Sequence, residues 1–207
     1  MTTDELSHQF DTQVWKQKKG LVLDEYAKSL YLTKAQENIV IGLADTYEYT
    51  DKIREQLEPL LVVNTITSFT TYTSFFTITW PTDILTVTYE VLNDVTPTIP
   101  LDNNDIHMTL ENPFRKPDEN ISYRVTVGAE IARLYSAYVP VSYTLHYIKQ
   151  PDPIVLEDLT ATGLTIQGVA TPTTSVLNDK LALDIVDLAV ILALSDVARF
   201  AQQPQKE

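Results

Sequence analysis

Leu23-Asp24-Glu25-Tyr26-Ala27-Lys28-Ser29-Leu30-Tyr31-Leu32-Thr33-Lys34-Ala35-Gln36-Glu37-Asn38-Ile39-Val40 is the stretch on which the reading of this chain turns. Asp24 is a strong N-cap residue. Thr33-x-x-Gln36 has the form of a capping box, in which two orphan backbone N–H groups are satisfied reciprocally. Read this way, the stretch holds two helix starts, one at Asp24 and one at Thr33. Tyr26, Leu30, Ala35, Ile39 and Leu43 recur at helical spacing and predict one buried face.

Outward from this stretch the chain divides into three languages. Residues 1–61 read as helical, with an entry segment over Leu6 to Gln17, a helix from Asp24, another from Thr33 to about Asp45, and one from Tyr49 to Pro59. From Leu61 the composition changes: twelve threonines fall between Thr65 and Thr98, interleaved with Ile66, Phe69, Tyr72, Phe75, Ile78 and Trp80. β-branched and aromatic residues fit a pleated, half-buried surface, so strands are expected near 62–71, 74–80 and 84–92. A short helix over Asn103 to Asn112 follows, then strands at Ser122 to Val127, Glu130 to Tyr135 and Ser142 to Ile148. The third part is a long helix from Leu177 or Asn178 to about Ala201. Its predicted stripe is Leu181, Ile185, Leu188 and Leu192, and the apolar turn Leu188 to Leu194 demands cover on most sides.

The fold class expected from these parts is α+β. N-terminal helices and the long C-terminal helix would form a bundle, with a β-rich insertion in the middle. The expected bounds are 1–61 for the helical part, 62–159 for the insertion, and 160–207 for a connecting loop, the C-terminal helix and its tail. Residues up to 61 would pack with 177–201 as one helical core.

Charge narrows the function classes. The formal net charge is −13 across 207 residues. No Lys or Arg occurs between Arg54 and Arg115, while residues 62–112 hold six acids. Tight duplex binding needs Lys and Arg to displace phosphate counterions, so the middle of the chain is a poor DNA binder. An acidic surface instead repels a duplex sliding past it, although acidity also serves solubility alone. Cysteine is absent, which excludes disulfides and thiolate metal sites. Met1 to Phe10 is polar and acidic, unlike a signal peptide, and the longest apolar run is too short to cross a bilayer. No membrane partner is expected.

Catalytic signatures are missing. His8, His107 and His146 do not fall at the i, i+4 spacing of a helical zinc pair, and a general acid–base site needs a positioned partner. Asp102-Asn103-Asn104-Asp105 with Glu111 lacks the glycine and spacing of a calcium loop and reads better as a capped short helix. Phosphate-cradling and nucleophile-elbow patterns are absent. The expectation is therefore no enzyme, no cofactor and no metal. The aromatics Tyr72, Phe75, Phe76 and Trp80 leave open a β-rich binding or capsid-decorating module that holds carbohydrate or a capsid surface, although core packing is the commoner use of such residues.

Three blocks carry a family resemblance: residues 21–43, Ser142 to Leu159 with its strand followed by Lys149-Gln150-Pro151-Asp152-Pro153-Ile154, and Lys180 to Ala198 with Ile185-Val186-Asp187-Leu188-Ala189-Val190. In wording and order they resemble the neck or connector proteins of crAss-like bacteriophages of gut Bacteroidales. The resemblance implies a structural virion protein: a ring-forming head–tail adaptor beneath the portal, usually of twelve copies, extending the DNA channel to the tail. Implied partners are the portal protein, copies of the chain itself, adjacent neck or tail proteins, and double-stranded DNA passing without tight binding. Implied location is the virion neck or tail after assembly in the host bacterial cytoplasm. With that reading, Phe200, Gln202 and Gln203 are candidates for a portal-docking tail, and Glu90 and Asp94 for acidic residues facing the channel. Arg115, Lys116, Arg124 and Arg133 are candidates for basic contacts between subunits.

Overall fold

The computed structural model describes residues 1–47 and 50–202. Chain contacts divide it into two compact units, one of residues 1–60 with 150–207 and one of residues 61–149.

The first unit is helical with a long irregular inlay. Helix α1, Thr3–Gln17, opens on a complete capping box at Thr2 and Glu5, and its residues Leu6, Phe10 and Val14 are buried at four-residue spacing. Helix α2, Glu25–Ala44, starts from Asp24, whose carboxylate accepts the Ala27 N–H at 2.7 Å. It runs through Thr33 without a break, which corrects the expectation of a second start there. Its buried face is Lys28, Ser29, Leu32, Thr33, Ala35, Gln36 and Val40, while Leu30 of the predicted face is exposed. Helix α3, Asp51–Leu57, is capped by Thr50 and passes into a 3-10 turn over Glu58–Leu60 that absorbs Pro59.

The polar residues on the α2 face are there to hold a loop. Thr33 Oγ1 donates to the Ile154 carbonyl at 3.2 Å and accepts the Ile154 N–H at 3.1 Å. Gln36 Nε2 donates to the Asp152 carbonyl at 2.8 Å, and Ser29 Oγ accepts the Leu156 N–H at 3.0 Å. Residues 150–159, expected with the β-rich part, thus run in the helical unit. Two prolines there, Pro151 and Pro153, remove backbone donors, and the α2 side chains satisfy groups that neither helix nor sheet supplies. Beyond them, Val155, Leu159 and Ile166 make a small core with Tyr26 of α2.

The second unit is one eight-stranded sheet. Its strands are β1 Leu61–Ile66, β2 Thr70–Thr71, β3 Phe76–Thr79, β4 Ile84–Leu92, β5 Thr96–Pro100, β6 Ser122–Thr126, β7 Ile131–Tyr135 and β8 Tyr143–Lys149. Their order is β1-β8-β4-β5-β6-β7-β3-β2, antiparallel except for the parallel β5–β6 pair. Register shifts mark two irregularities in β4 against β8, and bulges of this kind bend and twist a strand. Strands far apart in the order, β8 and β4 on one side and β7 and β3 on the other, therefore share one core: Ile78, Leu92, Ala132, Leu134, Tyr143, Leu145 and Tyr147 with Trp80. On the opposite face of β6 and β7, Tyr123, Val125 and Tyr135 pack on Ile106 of helix α4, Ile106–Glu111. The β4–β5 turn holds Asn93 and Asp94 at φ 53° and 59°, the left-handed pair that primed hairpin turns require and that Asn and Asp tolerate best. β5 itself was not expected, because two prolines in five residues argue against a strand.

The last element is helix α5, Asp179–Gln202, entered from Asn178, whose side chain accepts the Leu181 N–H at 3.0 Å. Both α1 and α2 pack on it. Its buried face is Leu181, Ala182, Ile185, Val186, Ala189, Val190 and Ala193. Leu188 and Leu192, expected at the centre, are half-buried, and Ile191 is 57% exposed. The small alanines let α5 approach its neighbours, so the face is rotated from the stripe that leucine content predicts. The fold class expected from sequence is corrected here. Instead of a helical bundle carrying an insertion, the molecule is a mixed α+β protein whose middle is dominated by the eight-stranded sheet. Among the described residues α5 is one of five α-helices, and the helical unit also holds the inlaid segment after Gln150 by hydrogen bonds to α2.

Candidate functional site

The most organised polar group in the sheet unit lies inside it. Arg124 on β6 reaches Glu90 on β4 across the intervening β5, with Nε on Oε2 and Nη2 on Oε1, each at 2.8 Å. Glu90 is 5% exposed and Arg124 8%. The Tyr143 hydroxyl also donates to Glu90 Oε2, and Arg124 Nη1 donates to Thr126 Oγ1. The guanidinium carbon stands 4.4 Å from the Trp80 ring centroid, a cation–π contact. Burial opposes the Arg124 charge, but the hydrogen bonds and attraction from Glu90 outweigh it, and its pKa lies above the ordinary value. Burial first, and the Glu90 charge second, push the Tyr143 phenol far above its usual range. Each guanidinium nitrogen of Arg124 has a partner and both Glu90 oxygens are occupied, so the cluster locks the sheet.

That geometry relocates two residues assigned to surfaces from sequence. Within the chain Glu90 and Arg124 are buried, and each is the other's partner. Of the remaining assigned residues, Asp94, Arg115, Lys116 and Arg133 belong to the sheet unit and Phe200, Gln202 and Gln203 to the end of the chain. Asp94 is exposed on the β4–β5 turn, where its carboxylate accepts the Thr144 hydroxyl at 3.3 Å. Arg115 and Lys116 are exposed in the loop after α4. Arg133 is half-buried over the Phe75 ring, 4.9 Å from its centroid. Phe200 and Gln202 fall in the last turn of α5 with side chains outside the described residues, and Gln203 lies outside the described residues altogether.

The aromatics weighed for ligand stacking mostly turn inward. Trp80 is buried, Phe76 packs on the main core and Phe75 on the α4 core, leaving Tyr72 exposed and stacked on Phe75 at 4.9 Å. Among the described residues, no group of three His, Cys, Asp or Glu side chains is placed to hold a metal ion, and no helix is long and apolar enough to cross a membrane. His8 and His107 are exposed, and His146 stands edge-on to Tyr89.

A second polar group, missed in the sequence, ties α1 to α2. The Lys28 ammonium is buried and bonds Asp11 at 2.7 Å, Glu25 at 2.8 Å and Ser7 at 3.1 Å. Burial opposes its charge, yet Asp11 and Glu25 together raise its pKa. The sequence signal was present as Lys28 on a buried face three residues after Glu25, but Asp11 is brought in only by packing.

The sheet unit is a scaffold braced by an internal ion pair, with charge concentrated on its outside. Comparisons with known proteins give the class of protein. The chain matches the phage tail ring protein 3/4 family over residues 1–205. It is 34% identical to Ring protein 3 of Bacteroides phage crAss001, over 94% of this chain and 95% of that one. It is 26% identical to Ring protein 4/5 of the same phage, over 93% of this chain and 92% of that one. The chain belongs to the phage tail ring protein 3/4 family and is a structural ring protein of a crAss-like phage.

Proposed function

We propose that the chain forms a head–tail adaptor ring beneath the portal, of twelve copies, that continues the DNA channel toward the tail. In this reading it docks on the portal protein on one side and on adjacent neck or tail proteins on the other. It assembles in the host cytoplasm, and it catalyses no reaction. The observation that carries the reading is the one-signed stretch of the sheet unit over residues 62–112, since the unit's cations all lie after it. Asp83, Asp94, Asp102, Asp105 and Glu111 are exposed, Glu90 is neutralised inside, and no Lys or Arg occurs from residue 62 to residue 112. Carboxylates without interspersed Lys or Arg repel a passing duplex and offer its phosphates no counter-charge. A channel wall needs that property, since packaging and ejection require DNA to move without sticking.

The test is to image particles carrying an epitope tag on this chain. The expected result is a twelvefold ring on the tail side of the portal with the sheet unit lining the lumen. A ring elsewhere in the particle, or a ring whose sheet unit faces outward, overturns the proposal.

A further inference from the structure

Phe114 is 97% exposed, the most exposed large apolar side chain described, and it is held there by design of the local backbone. Asn112 caps the turn: its side chain accepts the Phe114 N–H at 3.0 Å and its carbonyl accepts the Arg115 N–H at 3.0 Å. Asp118 closes the other end by accepting the N–H groups of Asn120 and Ile121 at 2.7 and 3.0 Å. The result is a pre-formed tip with an aromatic ring followed by two exposed cations, Arg115 and Lys116. An ordered aromatic beside arginine is the composition of an interface hot spot.

The helical unit carries two hollows along α1. One is an apolar notch of about 350 Å³ lined by Asp11, Thr12, Trp15, Leu21 and Val22, in which Trp15 is 58% and Val22 86% exposed. A cavity of roughly 150 Å³ already takes a benzene ring, so the notch admits a phenyl group. The next turns of α1 border a polar hollow of about 400 Å³ whose lining includes Asp4, Glu25 and Glu157 and no Lys or Arg. Glu25 is already paired with Lys28 through Oε1, so the open acids of the hollow are the exposed Asp4 and Glu157.

We propose that these two surfaces are the halves of one repeated contact between copies. The Phe114 tip of one copy seats in the α1 notch of the next, with Arg115 and Lys116 against the acidic hollow. The proposal rests on the ring assembly argued above and names its interface. Charge selects the occupant. Copies that each carry −13 repel one another, and association requires that a local basic surface meet a local acidic one. A heterologous ring needs two different complementary patches on every copy, and the tip and the notch are such a pair.

Because the chain has no cysteine, the contact is directly testable by oxidation of phage particles carrying Phe114→Cys together with Val22→Cys. Both positions are exposed, so neither change disturbs the core. The expected result is a ladder of disulfide-linked multimers on a non-reducing gel, absent from each single variant and from Phe114→Cys with Ile191→Cys. Particles with an intact ring and no ladder, or with only a cross-link inside one chain, overturn this inference alone. Particles in which the chain forms no ring overturn the adaptor reading as well. As a second measurement, Arg115→Glu with Lys116→Glu lowers incorporation of the chain into particles by about tenfold or more. Adding Asp4→Lys and Glu157→Lys restores it; unchanged incorporation in the first variant, or no recovery in the second, also overturns the contact.

Discussion

Arg124 and Glu90 meet in a two-point pair that spans the strand between them, each N···O distance being 2.8 Å. They stand on β6 and β4, with β5 between, and the small Thr98 of β5 leaves room for the side chains to pass on that face. The pair makes a parallel β5–β6 junction and an antiparallel β4–β5 hairpin part of one continuous sheet. It also fixes register, since a one-residue slip of either strand turns its charged side chain to the opposite face.

Removing one partner strands the other. Glu90→Ala is expected to destabilise the protein by about 3–5 kcal/mol, because a buried guanidinium is left uncompensated. Glu90→Leu combined with Arg124→Met is expected to cost less than Glu90→Ala alone. Urea unfolding of the full chain measures both, and a smaller loss in the single variant than in the double would show that the pair is not a coupled unit.

Tyr143 makes the same cluster sensitive to alkali. Its folded-state pKa is raised, by burial first and by the Glu90 charge second. A raised pKa contributes stability that is fully present below the unfolded value near pH 10 and is lost as pH rises past it. The Tyr143 contribution to the slope is about 1.4 kcal/mol per pH unit above that point. Tyr143→Phe is expected to be less stable at pH 8 and to show a shallower decline above pH 10, read by denaturant unfolding across the pH series. Parallel curves for the two proteins would remove Tyr143 as the cause.

Thr33 answers to backbone groups instead of to a helix end. Thr33→Val leaves the Ile154 N–H and carbonyl without their hydroxyl partner and is expected to cost about 1–3 kcal/mol. Thr33→Ser retains the hydroxyl and is expected to keep most of the stability. Hydrogen exchange at the Ile154 amide reports the local effect, which is faster exchange in the valine variant only.

The face of α5 sets a contrast between neighbours. Ala193 is fully buried and Ile191 is more than half exposed. Ala193→Asp is expected to destabilise by several kcal/mol through a buried unpaired charge, whereas Ile191→Asp stays within about 0.5 kcal/mol. Thermal melting distinguishes them, and equal losses would mean that the helix is rotated from the face described.

Reversing charge outside the sheet tests the channel reading without touching the lock. Asp102→Lys with Glu111→Lys changes two exposed positions, and stability is expected to move by about 0.5 kcal/mol or less per site. Rings of this variant are expected to bind duplex DNA with an affinity that falls steeply with salt, and particles carrying it are expected to eject DNA more slowly. Normal ejection with an intact ring would place these side chains away from the lumen.

The family blocks, the β-rich character of the middle and several element positions were legible in the residues alone. The Asp24 cap, the strands at 84–92, 122–127 and 142–148, and the start of the last helix all rest on local backbone preference and on side-chain period, which neighbouring residues decide. Tertiary structure decided the rest, because each remaining question turned on a partner distant in sequence. Thr33 and Gln36 look like a cap until Ile154 and Asp152 arrive against them. Glu90 and Arg124 look like surface charges until the β4-β5-β6 order brings them together inside the sheet. Thr96–Pro100, with two prolines, gives no strand signal of its own, and β4 and β6 make it one by pairing with it. Even the buried face of α5 was settled by which small side chains its neighbours could approach, since leucine content tells how apolar a helix is and not which side is covered.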